Sequence, residues 1–286
     1  MPSLIDLRRR IRSVRNTQQI TKAMKMVSAA RLRRAQDRVL AARPYVQLLE
    51  KVLADVASAA LDGSEDSVHP LLAQRPEKKI QLIVITADRG LAGAFNSNLL
   101  RAAQRFINEH PDVEIQLELI GRKGRDYFRK RHGKITGEHT GIFQKVKYED
   151  ALAISRTVMQ RFADADVDAV YLAVNEFKSV MASQLRLKRI LPIESPERKE
   201  QIDFIYEQPP AELLGALLPR YLETEIYRAL LESAAAEHAA RMTAMDAASS
   251  NAADVIDKLT LYMNRVRQAS ITREIIEVVS GATALE

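Results

Sequence analysis

The chain has 286 residues, 47% of them hydrophobic and 28% charged, which is the composition of a protein that buries a core. It has no cysteine, which excludes disulfides and thiolate metal sites, and its five histidines lack the spacing of paired ligands on one helix, so no metal site is expected. The net charge of +6 predicts an acidic partner: nucleic acid, anionic lipid or an acidic protein surface. No run of about 18 apolar residues occurs, so no membrane-spanning segment is expected.

The first segment of the chain predicts one long and strongly basic helix. Neither Gly nor Pro occurs from Ser3 to Arg43, and residues 7–36 hold ten Lys or Arg but no Asp or Glu. Apolar residues recur at helical intervals, and after Ala35 the intervals alternate between four and three, as in a coiled-coil seam. The predicted seam residues are Leu4, Leu7, Ile11, Val14, Ile20, Met24, Val27, Ala35, Val39, Ala42, Val46, Leu49, Leu53, Val56 and Ala60. We expect Pro44 to kink this helix.

The ten cations of this helix are spread around its circumference rather than along one stripe. They are Arg8, Arg9, Arg10, Arg12, Arg15, Lys22, Lys25, Arg31, Arg33 and Arg34. Such a helix can meet acidic surroundings from several directions. Nucleic-acid binding is an alternative, although no aromatic residue that could stack on a base precedes Tyr45. The first 15 residues also have the composition of a mitochondrial transit peptide, but the helical pattern runs through them, and we expect them in the mature chain.

The middle of the chain, residues 77–195, has the alternating pattern of an α/β domain. The predicted strands are residues 79–87, 113–120, 167–177 and 183–193, and the predicted helices are residues 96–109, 124–131 and 148–164. Alternation of strand and helix predicts a parallel sheet. Residues 62–78 and 194–210 are rich in polar residues and Pro and are interpreted as linkers.

A glycine-containing turn, in the sequence ITADRGLAGAFN (85–96), follows the first predicted strand. Phosphate-binding loops occupy this position between a strand and a helix, but Gly90 and Gly93 match neither the dinucleotide fingerprint nor the P-loop. We favour a tight structural turn in which Asp88 and Arg89 form a local salt bridge. No nucleophile elbow occurs, so we predict neither catalytic residues nor a cofactor, and a nucleotide-dependent α/β enzyme is kept as an alternative.

The last segment predicts a second long helix. Residues 220–280 contain neither Gly nor Pro, and a helix of that length extends for roughly 90 Å. Its predicted seam, again at intervals of four and three, consists of Met245, Ser249, Ala252, Ile256, Leu259, Met263, Val266 and Ser270. The small residues in this seam permit close approach of a partner helix. The two terminal helices are therefore expected to wind around each other.

Three stretches of the chain resemble the gamma subunit of the F-type rotary ATP synthase, in its bacterial form. They are NTQQITKAMKMVSAARLRRAQ near the start, and RMTAMDAASSNAADVIDKL and ITREIIEVVSGA near the end; ADRGLAGAFN is similar to the central turn of the family. The resemblance implies an α/β fold with a long antiparallel coiled coil, formed by residues 1–61 and 211–286, and a Rossmann-like parallel α/β domain inserted at residues 77–195. The absence of cysteine leaves no thiol regulation of the kind found in chloroplast members.

The resemblance also implies a function as the non-catalytic central-stalk rotor. In that family the rotor couples proton-driven rotation of the membrane c-ring to ATP synthesis or hydrolysis on the beta subunits, and it helps to regulate ATPase activity and proton flow. The implied partners are the alpha and beta subunits, the epsilon subunit and the c-ring, with no nucleic acid. The implied location is peripheral, on the cytoplasmic face of the bacterial inner membrane.

Matching motif positions imply two groups of contact residues. Contacts with the alpha/beta head are expected from Met24, Lys25, Arg241, Arg267, Gln268 and Thr272, and contacts with the c-ring or epsilon from Tyr206 and Glu207.

Overall fold

Two long helices flank a five-stranded sheet. A computed structural model describes residues 3–61, 69–131, 134–179, 182–194 and 207–283. The helices are α1 (Leu4–Leu61), α2 (Phe95–Glu109), α3 (Arg122–Phe128), α4 (Tyr148–Ala163) and α5 (Pro210–Thr283), the strands are β1 (Lys79–Ile85), β2 (Glu114–Ile120), β3 (Ile135–His139), β4 (Ala169–Phe177) and β5 (Ser183–Leu191), and short 3-10 turns occur at Pro70–Leu72 and Ile142–Gln144. The predicted fold class is confirmed, and α1 and α5 continue as helix through Pro44 and Pro219.

The chain divides into two compact units, and each long helix contributes to both. The first unit combines residues 1–28 with residues 241–286, and the second comprises residues 29–240, including the whole sheet. The division into segments 1–61, 77–195 and 211–286 stays a prediction.

The sheet has the strand order β3-β2-β1-β4-β5. The first four strands are parallel, as predicted, whereas β5 runs antiparallel to β4. Only residues 178–182 separate β4 from β5, and so short a connection cannot make the crossover that a parallel neighbour requires.

The edge strand β3 is a strand that the sequence pattern missed, because its residues are mostly polar. It is held against β2 by the buried Glu118, which is only 2% exposed. The carboxylate of Glu118 lies 2.6 Å from His139 Nε2 and accepts hydrogen bonds from Thr136 Oγ1 at 3.1 Å and from Gln81 Nε2 at 3.2 Å. The polar side chains of β3 therefore serve a buried charge rather than an apolar core.

The main core lies on one face of the sheet. Alternate residues of β1 and β2 point to this face, and α2 and α3 cover it. The buried members are Ile80, Leu82, Val84, Leu99, Leu100, Ala103, Phe106, Ile115, Leu117, Leu119, Phe128, Ala169 and Ala173. Helix α4 contacts β4 and buries an apolar stripe of its own. The central strands are buried along almost their whole length, as expected of parallel strands in the middle of a sheet.

The turn after β1 packs on α5. Ala87, Ala92 and Phe95 form a buried cluster with Ala236, and Ala240 lies against it. Small side chains on α5 let the turn approach the helix closely. The glycine-containing turn thus joins the sheet to the helix within the second unit.

The ends of β1 and β2 are locked together. Thr86 donates from its backbone to the Ile120 carbonyl at 2.8 Å, and its hydroxyl accepts a hydrogen bond from the Gly124 amide at 2.8 Å. Gly121 fits between them with φ of 92°, and a β-carbon there would lie 2.0 Å from the Thr86 carbonyl oxygen. Only glycine meets both the conformation and the space.

Gly121→Ala is therefore expected to lower the free energy of unfolding by about 2–4 kcal/mol, because it combines a left-handed backbone strain with a backbone clash. Urea unfolding of the full chain, followed by circular dichroism, measures the loss. Gly215→Ala is the matched control, since a β-carbon there stays 3.8 Å from its nearest neighbour and alanine favours the interior of α5, with a gain of up to about 1 kcal/mol. Equal stability of the two variants would contradict the proposed lock.

Candidate functional site

The two helix ends of the first unit form an antiparallel pair. Thr21 Oγ1 lies 2.7 Å from Ser249 Oγ, and Lys25 Nζ lies 2.6 Å from Asp246 Oδ1. Gln18 Nε2 also donates to the Ser249 carbonyl at 3.3 Å. Residue numbers rise along α1 as they fall along α5, so the predicted antiparallel coiled coil is confirmed here.

The buried face of α1 follows a strict coiled-coil spacing, with polar residues in part of it. Buried or half-buried positions recur at alternating intervals of three and four: residues 4, 7, 11, 14, 18, 21, 25, 28, 32, 35 and 39. The predicted seam residues Ile20 and Val27 are instead 60% and 53% exposed, and that part of the prediction was wrong. Gln18, Thr21 and Ser28 occupy their places. Extending the interval pattern backward from Ala35, without regard to hydrophobicity, would have found them.

The polar seam satisfies its own hydrogen bonds. Ser249 Oγ reaches the Met245 carbonyl at 2.8 Å as well as Thr21, and Thr21 Oγ1 also reaches the Gln18 carbonyl at 3.0 Å. A self-satisfied polar contact in a helix seam fixes one register at some cost in stability. Small side chains such as Ala252 and Ser249 keep the helices close at this level.

The basic residues of α1 are displayed to the surroundings. Apart from Lys25, which is half-buried and paired with Asp246, every one of the ten cations between Arg8 and Arg34 is exposed. They point away from the seam in several directions, as the sequence predicted.

The end of α5 presents an apolar surface that sequence analysis did not single out. Every residue from 271 to 280 is exposed, and five of them are large and apolar. Their exposed fractions are 47% for Ile271, 58% for Ile275, 58% for Ile276, 72% for Val278 and 58% for Val279. Up to residue 280, the last position whose burial the structure describes, the last half-buried residue is Ser270, so the described seam ends where this apolar end begins. A cluster of exposed apolar side chains marks an interaction surface.

The predicted contact residues fall into distinct environments. Arg267, Gln268 and Thr272 are exposed on α5, where Thr272 Oγ1 donates to the Gln268 carbonyl at 2.9 Å. Met24 is half-buried beside the seam, and Arg241 is only 8% exposed.

The predicted foot residues lie just before α5. Glu207 is exposed in the bend that precedes α5, whereas Tyr206 lies outside the described residues.

The turn after β1 uses its polar groups internally. The Asp88 carboxylate accepts hydrogen bonds from the amides of Arg122 and Gly141, each at 3.1 Å, and Asn96 Oδ1 accepts one from the Ala87 amide at 2.9 Å. The Asp88 carboxylate and the Asn96 side-chain oxygen thus bind backbone amides of the fold. The arrangement is that of a structural turn, as the sequence analysis favoured.

Groups with shifted pKa values pack the second unit. Partial burial, followed by a 2.7 Å hydrogen bond to Glu223, raises the pKa of Tyr148 to about 12. Burial raises the pKa of Glu232, against the opposing effect of Arg228. Within the described ranges, no three acidic or His side chains cluster as metal ligands, and no helix there is apolar over enough of its length to cross a membrane.

Comparison with known proteins gives one consistent result. A family model described as ATP synthase matches residues 3–285. The chain is similar to the ATP synthase gamma chain of Solibacter usitatus, at 66% identity over 286 residues, and to that of Anaeromyxobacter sp., at 52% identity over 291 residues, with complete coverage of both chains in each pair.

Solved structures agree with these relatives. The central stalk of the Tetrahymena thermophila mitochondrial ATP synthase has a TM-score of 0.62 at 26% identity and covers 80% of this chain and 99% of its own. A chain of the Euglena gracilis mitochondrial enzyme has a TM-score of 0.68 at 17% identity, which shows the fold, and it covers 99% of this chain and 94% of its own.

A double-mutant cycle on Lys25 and Asp246, with alanine at each position, is expected to give a coupling energy of about 0.2–1 kcal/mol that falls as salt is added. The reason is exposure: the two side chains are 43% and 60% accessible, so water screens the pair. Thermal unfolding of the four proteins measures the coupling. The matched cycle on Lys22 and Asp246 should show none, and a Lys25 coupling above about 2 kcal/mol would mean that the pair is a structural element of the seam.

Proposed function

The chain belongs to the ATP synthase gamma-chain family, whose members are non-catalytic central-stalk subunits, and we propose that it transmits rotation between a membrane c-ring and the catalytic head. ATP chemistry in this enzyme takes place on the beta subunits, and the family is part of a membrane-associated complex. Membership of this family accounts for the basic helix without nucleic-acid binding, and for the glycine-containing turn without a nucleotide-dependent activity.

The exposed apolar end of α5 is the observation that carries the proposal. Five large apolar side chains beyond the seam would face water in the isolated chain, and burying each is worth about 1.5–3 kcal/mol. A surrounding protein surface accounts for them, and an alpha/beta hexamer that encloses the helix end supplies one. An apolar enclosure also offers no directional bonds that would stop rotation.

The exposed cations of α1 suit contacts that form and release during each turn. Exposed ion pairs contribute only about 0–1 kcal/mol each, so acidic loops of the beta subunits can engage the helix without a deep energy minimum. We infer that force is transmitted mainly by steric contact with a stiff helix pair. Because the pair is asymmetric, it stabilises different conformations at the three catalytic sites, which is the requirement for coupling.

The proposed head contacts divide by exposure. Arg267, Gln268 and Thr272 are exposed and are proposed to touch the head directly. Lys25 is proposed to exchange Asp246 for an acidic group of the head, at little cost. Met24 and Arg241 present little surface, and we propose that they hold the seam in register beneath the contact.

The remaining partners are proposed from the relatives. The Tetrahymena and Euglena neighbours are described with a c-ring, and we propose a c-ring and the epsilon subunit as partners here, with Tyr206 and Glu207 at that contact. The proposed location is peripheral, on the cytoplasmic face of a bacterial inner membrane. Segments 1–61 and 211–286 would form the shaft and segment 77–195 the domain beside epsilon.

Co-expression with alpha and beta subunits is expected to give an ATPase-active complex of three alpha, three beta and one copy of this chain. The double variant Ile275→Ser/Ile276→Ser should reduce the yield of that complex at least about tenfold, because two exposed apolar side chains lose their burial in the head. The conservative variant Ile275→Leu/Ile276→Leu is the matched control and should assemble normally. Normal assembly of the serine variant, with unchanged ATPase activity, would exclude the apolar end as the head contact.

The proposed stiffness of the helix pair is tested by comparing two changes in α5. Ile256→Pro should impair ATPase activity and assembly more than truncation after Val278, because proline inside a helix costs about 3 kcal/mol or more and bends it. Ile256 lies half-buried in the seam, whereas the residues removed by truncation follow the end of the seam. The ATPase activity per assembled complex is measured for both variants and compared. Equal tolerance of the two changes would mean that a rigid shaft is not required.

A further inference from the structure

A cavity of about 400 Å³ lies within the second unit. Its walls come from α1, from the segment at and after the 3-10 turn Ile142–Gln144, and from α5. Cavities of this size accommodate small ligands. The end of the basic stretch of α1 contributes to it, whereas the turn after β1 and the apolar end of α5 do not.

Positive charge dominates the wall of this cavity. Arg31, Arg34 and Arg38 line it from α1, where intervals of three and four residues place them on one face. Lys145 lines it from the segment after the 3-10 turn Ile142–Gln144, and no Asp or Glu is among the lining residues. Repulsion among these neighbouring charges is unfavourable unless an anion offsets it.

The four cations lack acidic partners in the described part of the chain. The ion pairs of this structure involve other basic residues, such as Lys25, Arg129, Arg161 and Arg189. The guanidinium groups at the cavity therefore have their donors available, and guanidinium forms paired hydrogen bonds with phosphate oxygens.

Helix α5 contributes a buried polar side chain to the wall of the cavity. His238 lines the cavity from α5 and is only 8% exposed. Its Nδ1 pairs with Glu237 Oε2 at 2.7 Å. His238 therefore adds a polar ring to the α5 side of the cavity, and the four cations supply the attraction for an anion.

The floor of the cavity is apolar. Phe143 and Val146 from the loop, and Leu231 and Ala234 from α5, are all buried. A ligand that matches the whole cavity has several negative charges at the arginines and can rest an apolar portion on Phe143. A monovalent anion would leave most of the positive charge uncompensated.

We propose that this cavity binds an oligophosphate, either inorganic or carried by a nucleotide. The phosphate chain bridges Arg31, Arg34 and Arg38 to Lys145, and His238 lies at the α5 side. Because the ligand contacts three separate elements, it holds the loop after residue 141 against both long helices. A ligand that binds only the folded chain also raises its thermal stability.

The test uses calorimetric titration of the full chain with tripolyphosphate and, separately, with ATP. The variant Arg31→Gln/Arg34→Gln/Arg38→Gln should weaken binding at least about tenfold, since several charge-assisted contacts are lost. The matched control Arg8→Gln/Arg9→Gln/Arg12→Gln removes the same charge from positions of the same helix that do not line the cavity and should change affinity less than about twofold. Lys145→Gln, which leaves α1 intact, should weaken binding as well, and circular dichroism verifies the helicity of each variant.

The outcomes separate the sources of the ligand. Tighter binding of ATP than of tripolyphosphate assigns the site to a nucleotide, and equal binding assigns it to the phosphate chain alone; both support the proposal. No binding at millimolar concentration, or equal weakening by the cavity and control variants, would overturn it. Binding of a polyglutamate peptide but not of tripolyphosphate would also overturn it, in favour of an acidic protein partner.

Discussion

The constraint on which the first unit depends is that two helices must lie close together in a single register. Thr21 and Ser249 meet that constraint with a 2.7 Å contact between two short side chains. Longer apolar side chains would add burial, but they would separate the helices and permit neighbouring registers. The exposed positions of α1 are then free to carry positive charge without loss of packing. The seam residues therefore hold the two helices in register, and the exposed residues of α1 carry the positive charge.

Much of the fold could be predicted because local pattern and tertiary contact agree in it. The central strands are rich in apolar residues and buried, and both long helices were recognised from long stretches without Gly or Pro. Strand β3 was missed because its polar residues form a strand only when Glu118 is already buried beside them. The antiparallel direction of β5 was missed because a strand pattern does not show in which direction the strand runs. The short connection after Phe177 requires β5 to run antiparallel to β4.

The proposed contact residues come from resemblance rather than from physical pattern, and they stay a prediction. Arg267, Gln268 and Thr272 have no local signal beyond being polar residues on a helix, and only motif similarity marked them. The polar part of the seam was missed because hydrophobicity outweighed spacing, which placed Ile20 and Val27 inside. The apolar end of α5 was missed for a related reason. Apolar residues in a helix are usually predicted to be buried, and only the structure shows that this part of α5 extends beyond the seam.

That apolar end has a consequence for the supply of the chain in the cell. A copy made in excess of its partners displays Ile275, Ile276 and Val278 to solvent, which promotes self-association and recognition by chaperones and proteases. Coordinated synthesis with the other subunits removes this hazard, since each newly folded copy is covered soon after release. The feature that is proposed to seat the shaft is thus also expected to shorten the lifetime of unassembled copies and to tie the abundance of the chain to that of its partners.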